Sequence, residues 1–210
     1  FKGWSPVVAE MDEEGKTFYA VWTAKNVGYT VEYYLMKTDG TYDPFATDYD
    51  STQTAPTDSV VEVTAKAIEH FEFDKQNANN VLSETVAADG STVLKLYYTR
   101  NQYTLTVNKD NGTDVQTNTY YYEQRVPAAS AMNKAGHRFS HWVNAAGDTV
   151  AYPTTLTADM SVKAIWIANV HNLTYNIIED DGSTTEWHGQ TLEFGKPVYV
   201  PGNPAKVGYK

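Results

Sequence analysis

The chain has 210 residues, no cysteine and a formal net charge of −10. The missing thiols exclude disulfides, thiolate nucleophiles and Cys-ligated zinc. The acidic balance argues against nucleic acid and anionic membrane surfaces, both of which call for Lys/Arg patches, and no apolar run approaches the roughly 18 residues a membrane helix needs. Tyrosine (16) and tryptophan (5) are abundant beside many Thr and Val, a composition that favours strands.

Residues 1–26 open with Phe1-Lys2-Gly3-Trp4, pass an acidic turn at Met11-Asp12-Glu13-Glu14-Gly15, and reach the strand Phe18-Tyr19-Ala20-Val21-Trp22. Residues 27–102 form a longer and different unit. Tyr29–Leu35 reads as a strand, Asp39-Gly40 as a turn, and Tyr42–Asp50 as the partner strand. Val60–Val63 and Phe71–Phe73 follow, then a polar loop at Gln76–Asn80. After the turn at Asp89-Gly90 the unit closes with Thr92–Tyr98.

Residues 103–169 read as a complete unit. Tyr103, Leu105 and Val107 alternate onto one face, Asp110-Asn111-Gly112 turns, and Thr117–Tyr122 returns. Pro127–Lys134 has the composition of a helix of at most two turns. The Phe139/Trp142 strand, a turn at Ala146-Gly147-Asp148 and the strand Val162–Trp166 complete it. Residues 170–210 repeat the opening: Leu173, Tyr175 and Ile177 alternate, Asp180-Asp181-Gly182 turns, Thr191–Phe194 is a strand, and Val198–Val200 is a third extended piece. Leu94, Leu96, Tyr98, Val162, Ala164 and Trp166 are expected to face the cores.

The two ends belong together as sequence. Gly208-Tyr209-Lys210 followed by Phe1-Lys2-Gly3-Trp4 reproduces the pattern Gly136-His137-Arg138-Phe139-Ser140-His141-Trp142. The expectation is a piece of a longer repeat array cut inside a unit, with 1–26 as the rear half of one unit and 170–210 as the front half of another. The joints at Asn101-Gln102 and Asn169-Val170 carry no Gly/Ser or Pro-rich linker. The predicted fold class is therefore mainly β with a minor helical element (α+β), as tandem small modules in an elongated rod. Complementary halves further predict head-to-tail or reciprocal self-association through residues 1–26 and 170–210.

The pattern around Phe139 and Trp142 with its closing Lys163-Ala164-Ile165-Trp166, and the match of Phe1, Gly3, Trp4 and Tyr19-Ala20-Val21-Trp22, resemble the Listeria–Bacteroides repeat, or internalin B-repeat. Residues 27–102, through Tyr29–Tyr34 and Thr92–Asn101, are similar to MucBP-like, mucin-binding-protein repeats. The resemblance covers the chain. It implies β-grasp-like modules in an extracellular, secreted or surface-anchored protein of a Gram-positive or gut-dwelling bacterium. Repetition, short joints and an acidic surface point to a stalk, while the resemblance to mucin-binding repeats implies the alternative, an adhesin module that binds a host glycan or protein. The repeat core that the B-repeat resemblance implies is Phe1, Trp4, Trp22, Phe139, Trp142 and Trp166. The central unit departs from the pattern at His137, where Tyr is usual, and at His141, where Gly is usual.

Candidate chemistry is sparse. His137 and His141 stand four apart and on a strand can share a face, but both fill ordinary repeat slots, so no metal is expected. His70, His171 and His188 have no companions at ligand spacing. The acidic groups at Asp12–Glu14, Asp110 and Glu179–Asp181 lie at turns, where carboxylates serve backbone bonding, and none follows an EF-hand. There is no Gly-x-Ser-x-Gly elbow, His-Glu-x-x-His or phosphate loop, so no enzyme and no cofactor is expected. Trp187, without a counterpart in the central unit, and Tyr121, in the run Tyr120–Tyr122, are the candidate ligand contacts.

Overall fold

The structure is a computed structural model that describes residues 1–7, 10, 15–127, 132–152 and 154–205. It divides into two compact units, Phe1–Asn101 and Gln102–Lys210. The fold is all β, with no helix among the described residues. The expected helix over Pro127–Lys134 falls largely on residues 128–131, outside those described; Lys134 bridges His137 as a short antiparallel contact. The acidic turn at 11–14 and the terminal 206–210 also lie outside them.

In the first unit, β1 (Gly3–Ser5) pairs with β2 (Tyr19–Val21). The strands β3 (Asn26–Leu35), β4 (Asp48–Pro56), β5 (Val60–Glu62), β6 (Phe71–Phe73), β7 (Ser83–Thr85) and β8 (Val93–Arg100) follow. Four of them form a mixed sheet in the order β4-β3-β8-β6, in which β3 and β8 are parallel; β5 and β7 pair separately. The partner of β3 starts later than the sequence predicts, at Asp48 and not Tyr42. Residues 36–47 instead loop back, and Tyr42 sets its ring edge-on to Tyr97 at 5.1 Å. Alternation explains the core: Val31 and Tyr33 face Leu94, Leu96 and Tyr98, all buried. Removing each aliphatic side chain from water contributes about 1.5–3 kcal/mol.

In the second unit, β9 (Gln102–Asn108), β10 (Gln116–Tyr121), β11 (Arg125–Val126), β12 (His137–Asn144), β13 (Thr149–Val150), β14 (Thr154–Thr155) and β15 (Met160–Ala168) precede the hairpin β16 (Val170–Ile178) and β17 (Thr184–Glu193). Five strands form a sheet in the order β10-β9-β15-β12-β13, with β9 and β15 parallel. The core lies on one face, where Leu105, Val107, Trp142, Val162 and Ala164 meet Val126 from β11 and Leu156, which directly follows β14. The expected third piece, Val198–Val200, is not a strand; its carbonyl at Tyr199 instead accepts hydrogen bonds from the Tyr175 hydroxyl (3.0 Å) and Gln190 Nε2 (3.1 Å).

One strand pair is built twice. In the central module Trp142 stands opposite Ala164, and Phe139 packs against Trp142 (5.5 Å) and Trp166 (5.8 Å). In β1–β2, Trp4 stands opposite Ala20, and Phe1 packs against Trp4 (5.6 Å) and Trp22 (5.5 Å). The burial differs sharply. Trp142 is 5% exposed, whereas Phe1, Trp4 and Trp22 are 64%, 50% and 72% exposed. These three residues are therefore an aromatic cluster and not a core in this chain. The physical reason is visible in the central module: there β9 extends the sheet beside β15, Val126 and Leu156 cover its core face, and no described segment does either for β1–β2. Trp166 is half-buried and packs at the core's rim, where its indole N–H, which needs an acceptor away from water, donates to the Lys109 carbonyl at 2.8 Å. Phe139 is 37% exposed, at the edge of the cluster.

The hairpin β16–β17 is fastened to the central module through a glycine. Gly136 sits at φ +68, and the ring of Phe194 lies where a Cβ would stand. Asn169 donates its N–H to the Gly136 carbonyl and accepts from the Phe194 N–H (2.8 and 2.7 Å).

Trp142→Ala is expected to destabilise the central module by about 3–5 kcal/mol, the usual cost of emptying a filled aromatic site. Trp4→Ala, in the same slot of an uncovered pair, is expected to cost less than about 1 kcal/mol in dilute solution. Urea unfolding of the two variants measures the difference.

Candidate functional site

Trp187 sits in a β-bulge of β17. Tyr175 pairs with His188 and Asn176 with Glu186, so the register skips Trp187. A bulge leaves its extra residue free of the ladder and re-aims its side chain. The indole is 38% exposed, with its ring 6.0 Å from that of His188, which lies 6.1 Å from Tyr175. The same hairpin carries an open hollow of about 330 Å³ lined by Asn172, Leu173, Thr174, Glu186, Gly189, Gln190 and Thr191; Trp187 is not among the lining residues. Gly189 makes room there: a Cβ would meet Glu186 Oε1 at 3.0 Å. Thr191 donates to Asn172 Oδ1 at 3.1 Å, so hydroxyl and amide groups line the floor already oriented. The carboxylate, amides and hydroxyls of the hollow suit a polyhydroxylated ligand.

Tyr121, the other candidate contact, is on a different sheet. It ends β10, is half-buried, and its N–H donates to Gln124 Oε1 at 2.8 Å. It and Trp187 therefore belong to separate surfaces.

The two histidines of β12 are also separated in role. A register shift falls between Phe139 and His141. His137 Nδ1 lies 2.8 Å from the Ala135 carbonyl, an acceptor, so this nitrogen carries the proton; its ring meets Phe194 edge-on at 5.7 Å. His141 Nδ1 bonds to Ser140 Oγ at 2.9 Å. Among the described residues no group of three or more His, Asp or Glu is placed to hold a metal ion.

The acidic turns are occupied by their own chain. Asp39, Asp89, Asn111 and Asp181 each precede a Gly with φ between +77 and +87, and each accepts from the backbone N–H two residues on, at 2.9, 2.9, 3.3 and 2.9 Å. This Asx turn followed by glycine recurs because a short acceptor side chain mimics a backbone carbonyl and only Gly enters the left-handed region freely. Asp110 instead holds two cations, Lys134 at 3.1 Å and Lys163 at 3.5 Å.

Sequence reasoning missed an aromatic stack in the first unit. Tyr34 and Tyr97 are parallel-strand partners, and their rings stack at 4.4 Å and 7°. The signal was present in the doublets Tyr33-Tyr34 and Tyr97-Tyr98, because adjacent strand residues point to opposite faces. Tyr33 and Tyr98 line the core face, and Tyr34 and Tyr97 line the other. The Tyr34 hydroxyl donates to Glu32 Oε2 at 2.7 Å. Burial, then the hydrogen bond and charge of Glu32, push its pKa well above the ordinary tyrosine value.

No protein-family model matches the chain, and no curated protein matches it.

The carboxylates give a pH prediction. The Asp39, Asp89 and Asp181 carboxyls are held below the ordinary 3.8, first by hydrogen bonds from the Thr41, Ser91 and Ser183 side chains, and Gln53 and Thr52 take Asp50 to about 2. A pKa lower in the folded state than the unfolded means stability is complete above 3.8 and is lost as pH falls through the folded values. The melting temperature is expected to be flat from about pH 7 to about pH 5 and to drop below about pH 4. Asp39→Asn with Asp89→Asn should soften that drop while keeping the fold, since Asn111 already serves the same turn.

Proposed function

We propose that the chain is a non-catalytic stretch of tandem β-grasp-like modules from a secreted or cell-surface bacterial protein, acting as an elongated spacer. The units proposed are an internalin B-repeat-like rear half at 1–26, a MucBP-like module at 27–102, a complete B-repeat-like module at 103–169 and a front half at 170–210. The observation that carries the reading is the strand pair built twice in one register, Trp4 opposite Ala20 and Trp142 opposite Ala164, each with its Phe-Trp-Trp cluster. A repeated unit with repeated packing is what a spacer requires, since length is added by copying. The β-grasp-like assignment is supported by two sheets of the same logic, β4-β3-β8-β6 and β10-β9-β15-β12, each with its opening and closing strands parallel at the centre. The extracellular assignment rests on the sequence resemblance.

A second reading is favoured by one specific observation. The hairpin β16–β17 carries both the bulged, part-exposed Trp187, a platform for a sugar ring, and the polar hollow of Asn172, Glu186 and Gln190, groups an adhesin module would use on a host glycan.

Small-angle scattering in dilute solution tests the spacer. The expected radius of gyration is well above the roughly 17 Å of a compact chain of this length; a value near 17 Å contradicts it. A glycan array tests the second reading. Binding that disappears in both Trp187→Ala and Glu186→Gln supports it, and binding unchanged in both, or no binding, removes it.

A further inference from the structure

Four Asx-Gly turns share one plan, and one of them departs from it. In three, the glycine N–H is tied back to the carbonyl three residues before: Gly40 to Lys37 (3.1 Å), Gly90 to Ala87 (3.1 Å) and Gly182 to Glu179 (3.0 Å). In the central module the corresponding carbonyl is that of Lys109, and it accepts the Trp166 indole N–H at 2.8 Å. Asp110 stands at φ 49, whereas its counterparts Thr38, Ala88 and Asp180 do not enter the left-handed region. The Gly112 N–H is left without an acceptor among the described residues.

The same turn is the one that carries an amide. Asn111-Gly112 is the single Asn-Gly pair of the sequence; the other three turns have Asp. Asn111 Oδ1 accepts from the Thr113 hydroxyl at 2.7 Å and from the Thr113 N–H at 3.3 Å, and Asn111 Nδ2 donates to the Asn133 carbonyl at 3.1 Å. The Asx turn folds the side chain back over the Gly112 peptide unit. Donors on Oδ1 stabilise negative charge developing there when the carboxamide carbon is attacked. Gly112 is exposed, and the space where a Cβ would stand is open. Its nitrogen can therefore give up its proton without first breaking a hydrogen bond.

We propose that Asn111-Gly112 is a self-modification site, at which the Gly112 nitrogen closes on the Asn111 carboxamide and water opens the resulting imide. The bond from the Gly112 nitrogen to Asn111 Cγ forms, the Cγ–Nδ2 bond breaks, and the Gly112 proton leaves with Nδ2 as ammonia. Water then adds to one of the two imide carbonyls. Opening at the former side-chain carbonyl gives aspartate. Opening at the former backbone carbonyl gives isoaspartate, with the chain now running through the side chain. No oxidant or reductant takes part. The aspartate product suits this turn, since Asp39, Asp89 and Asp181 occupy it elsewhere. It lacks the Nδ2 donor, so the tie to the Asn133 carbonyl is lost. The new charge also stands next to Asp110, whose own charge Lys134 and Lys163 already hold. The central module thus loosens irreversibly where this turn meets residue 133. The inference is independent of the spacer reading.

An internal control separates structure from sequence. Asp89→Asn places the same dipeptide in a turn whose glycine N–H is bonded, Gly90 to Ala87. The wild-type chain and this variant are held in warm neutral buffer, folded or in concentrated urea. Peptide mapping by mass spectrometry follows the change from amide to acid and the isoaspartate fraction at both turns. The folded wild-type chain is expected to convert at position 111 and to gain one negative charge in isoelectric focusing. In the folded variant, position 111 should convert about tenfold faster than position 89, where a hydrogen bond must first be broken. In urea, where neither turn survives, the two positions should convert at like rates. Conversion at 89 as fast as at 111 in the folded variant overturns the proposal. So does a folded wild-type chain that keeps Asn111 intact while the unfolded chain loses it. A preference for 111 that persists undiminished in urea also overturns it, because the cause would then lie in the flanking residues and not in the turn.

Discussion

The closing strand of each module lies parallel to the strand that opened it, and the rest of the module is arranged around that pairing. In the central module β15 joins β9 across some fifty residues of chain, and the pair carries Leu105, Val107, Val162 and Ala164 into one core. In the longer module β8 joins β3 and brings Leu94 and Leu96 onto Val31 and Tyr33. A parallel pair needs a crossover, and everything between the two strands is that crossover. Its short strands, β11 with β14 and β5 with β7, lie outside the main sheet; in the central module Val126 and Leu156 cap the core from there. Deprived of that pairing, the same residues stay wet. The β1–β2 pair keeps its aromatic contacts and register, and yet its tryptophans are half or more exposed. Local ring contacts are thus sufficient to shape the pair and insufficient to bury it.

Two smaller devices recur and give the modules common joints. A left-handed residue stands before β6 and before β12, His70 at φ 63 and Gly136 at φ 68. In each case its carbonyl accepts from the Asn that follows the closing strand, Asn101 at 2.9 Å and Asn169 at 2.8 Å. The left-handed region costs a residue with a Cβ roughly 1 kcal/mol, and His70 bears it. Gly136 is different, because the Phe194 ring occupies the place of a Cβ and only glycine fits. The Asx-Gly turns are the second device. They explain why much of the acidity sits where a calcium site might be sought: Asp39, Asp89 and Asp181 are already engaged with the hydroxyls and N–H groups of Thr41, Ser91 and Ser183.

Periodicity carried much of the fold into view. The alternation Tyr103, Leu105, Val107 and the closing run Val162, Ala164, Trp166 are strands whose inward residues were legible, because a strand repeats every second residue. The repeat of Phe1, Gly3 and Trp4 at Phe139, His141 and Trp142 was legible too, and it foretold a shared register. Exposure was not legible, since repetition says which residues correspond and not whether a neighbour covers them. The start of β4 was missed because Tyr42 looks like a strand residue but spends its ring on Tyr97, a contact made across the sheet and not along the chain. Trp187 was noticed for lacking a counterpart, and the bulge explains it: the residue is an insertion into the ladder. The hollow on the same hairpin depends on Gly189 and on side chains from two strands, which no local pattern reports.

The front hairpin, and not the aromatic cluster, decides whether a closing strand is held. Residue-resolved amide hydrogen exchange in dilute solution tests it directly. The amides of Val162–Ala164 are expected to exchange only through unfolding of the central module, while those of Tyr19–Val21 exchange orders of magnitude faster despite the same register and the same Phe-Trp-Trp packing. Equal protection of the two strands in the dilute monomer would contradict it.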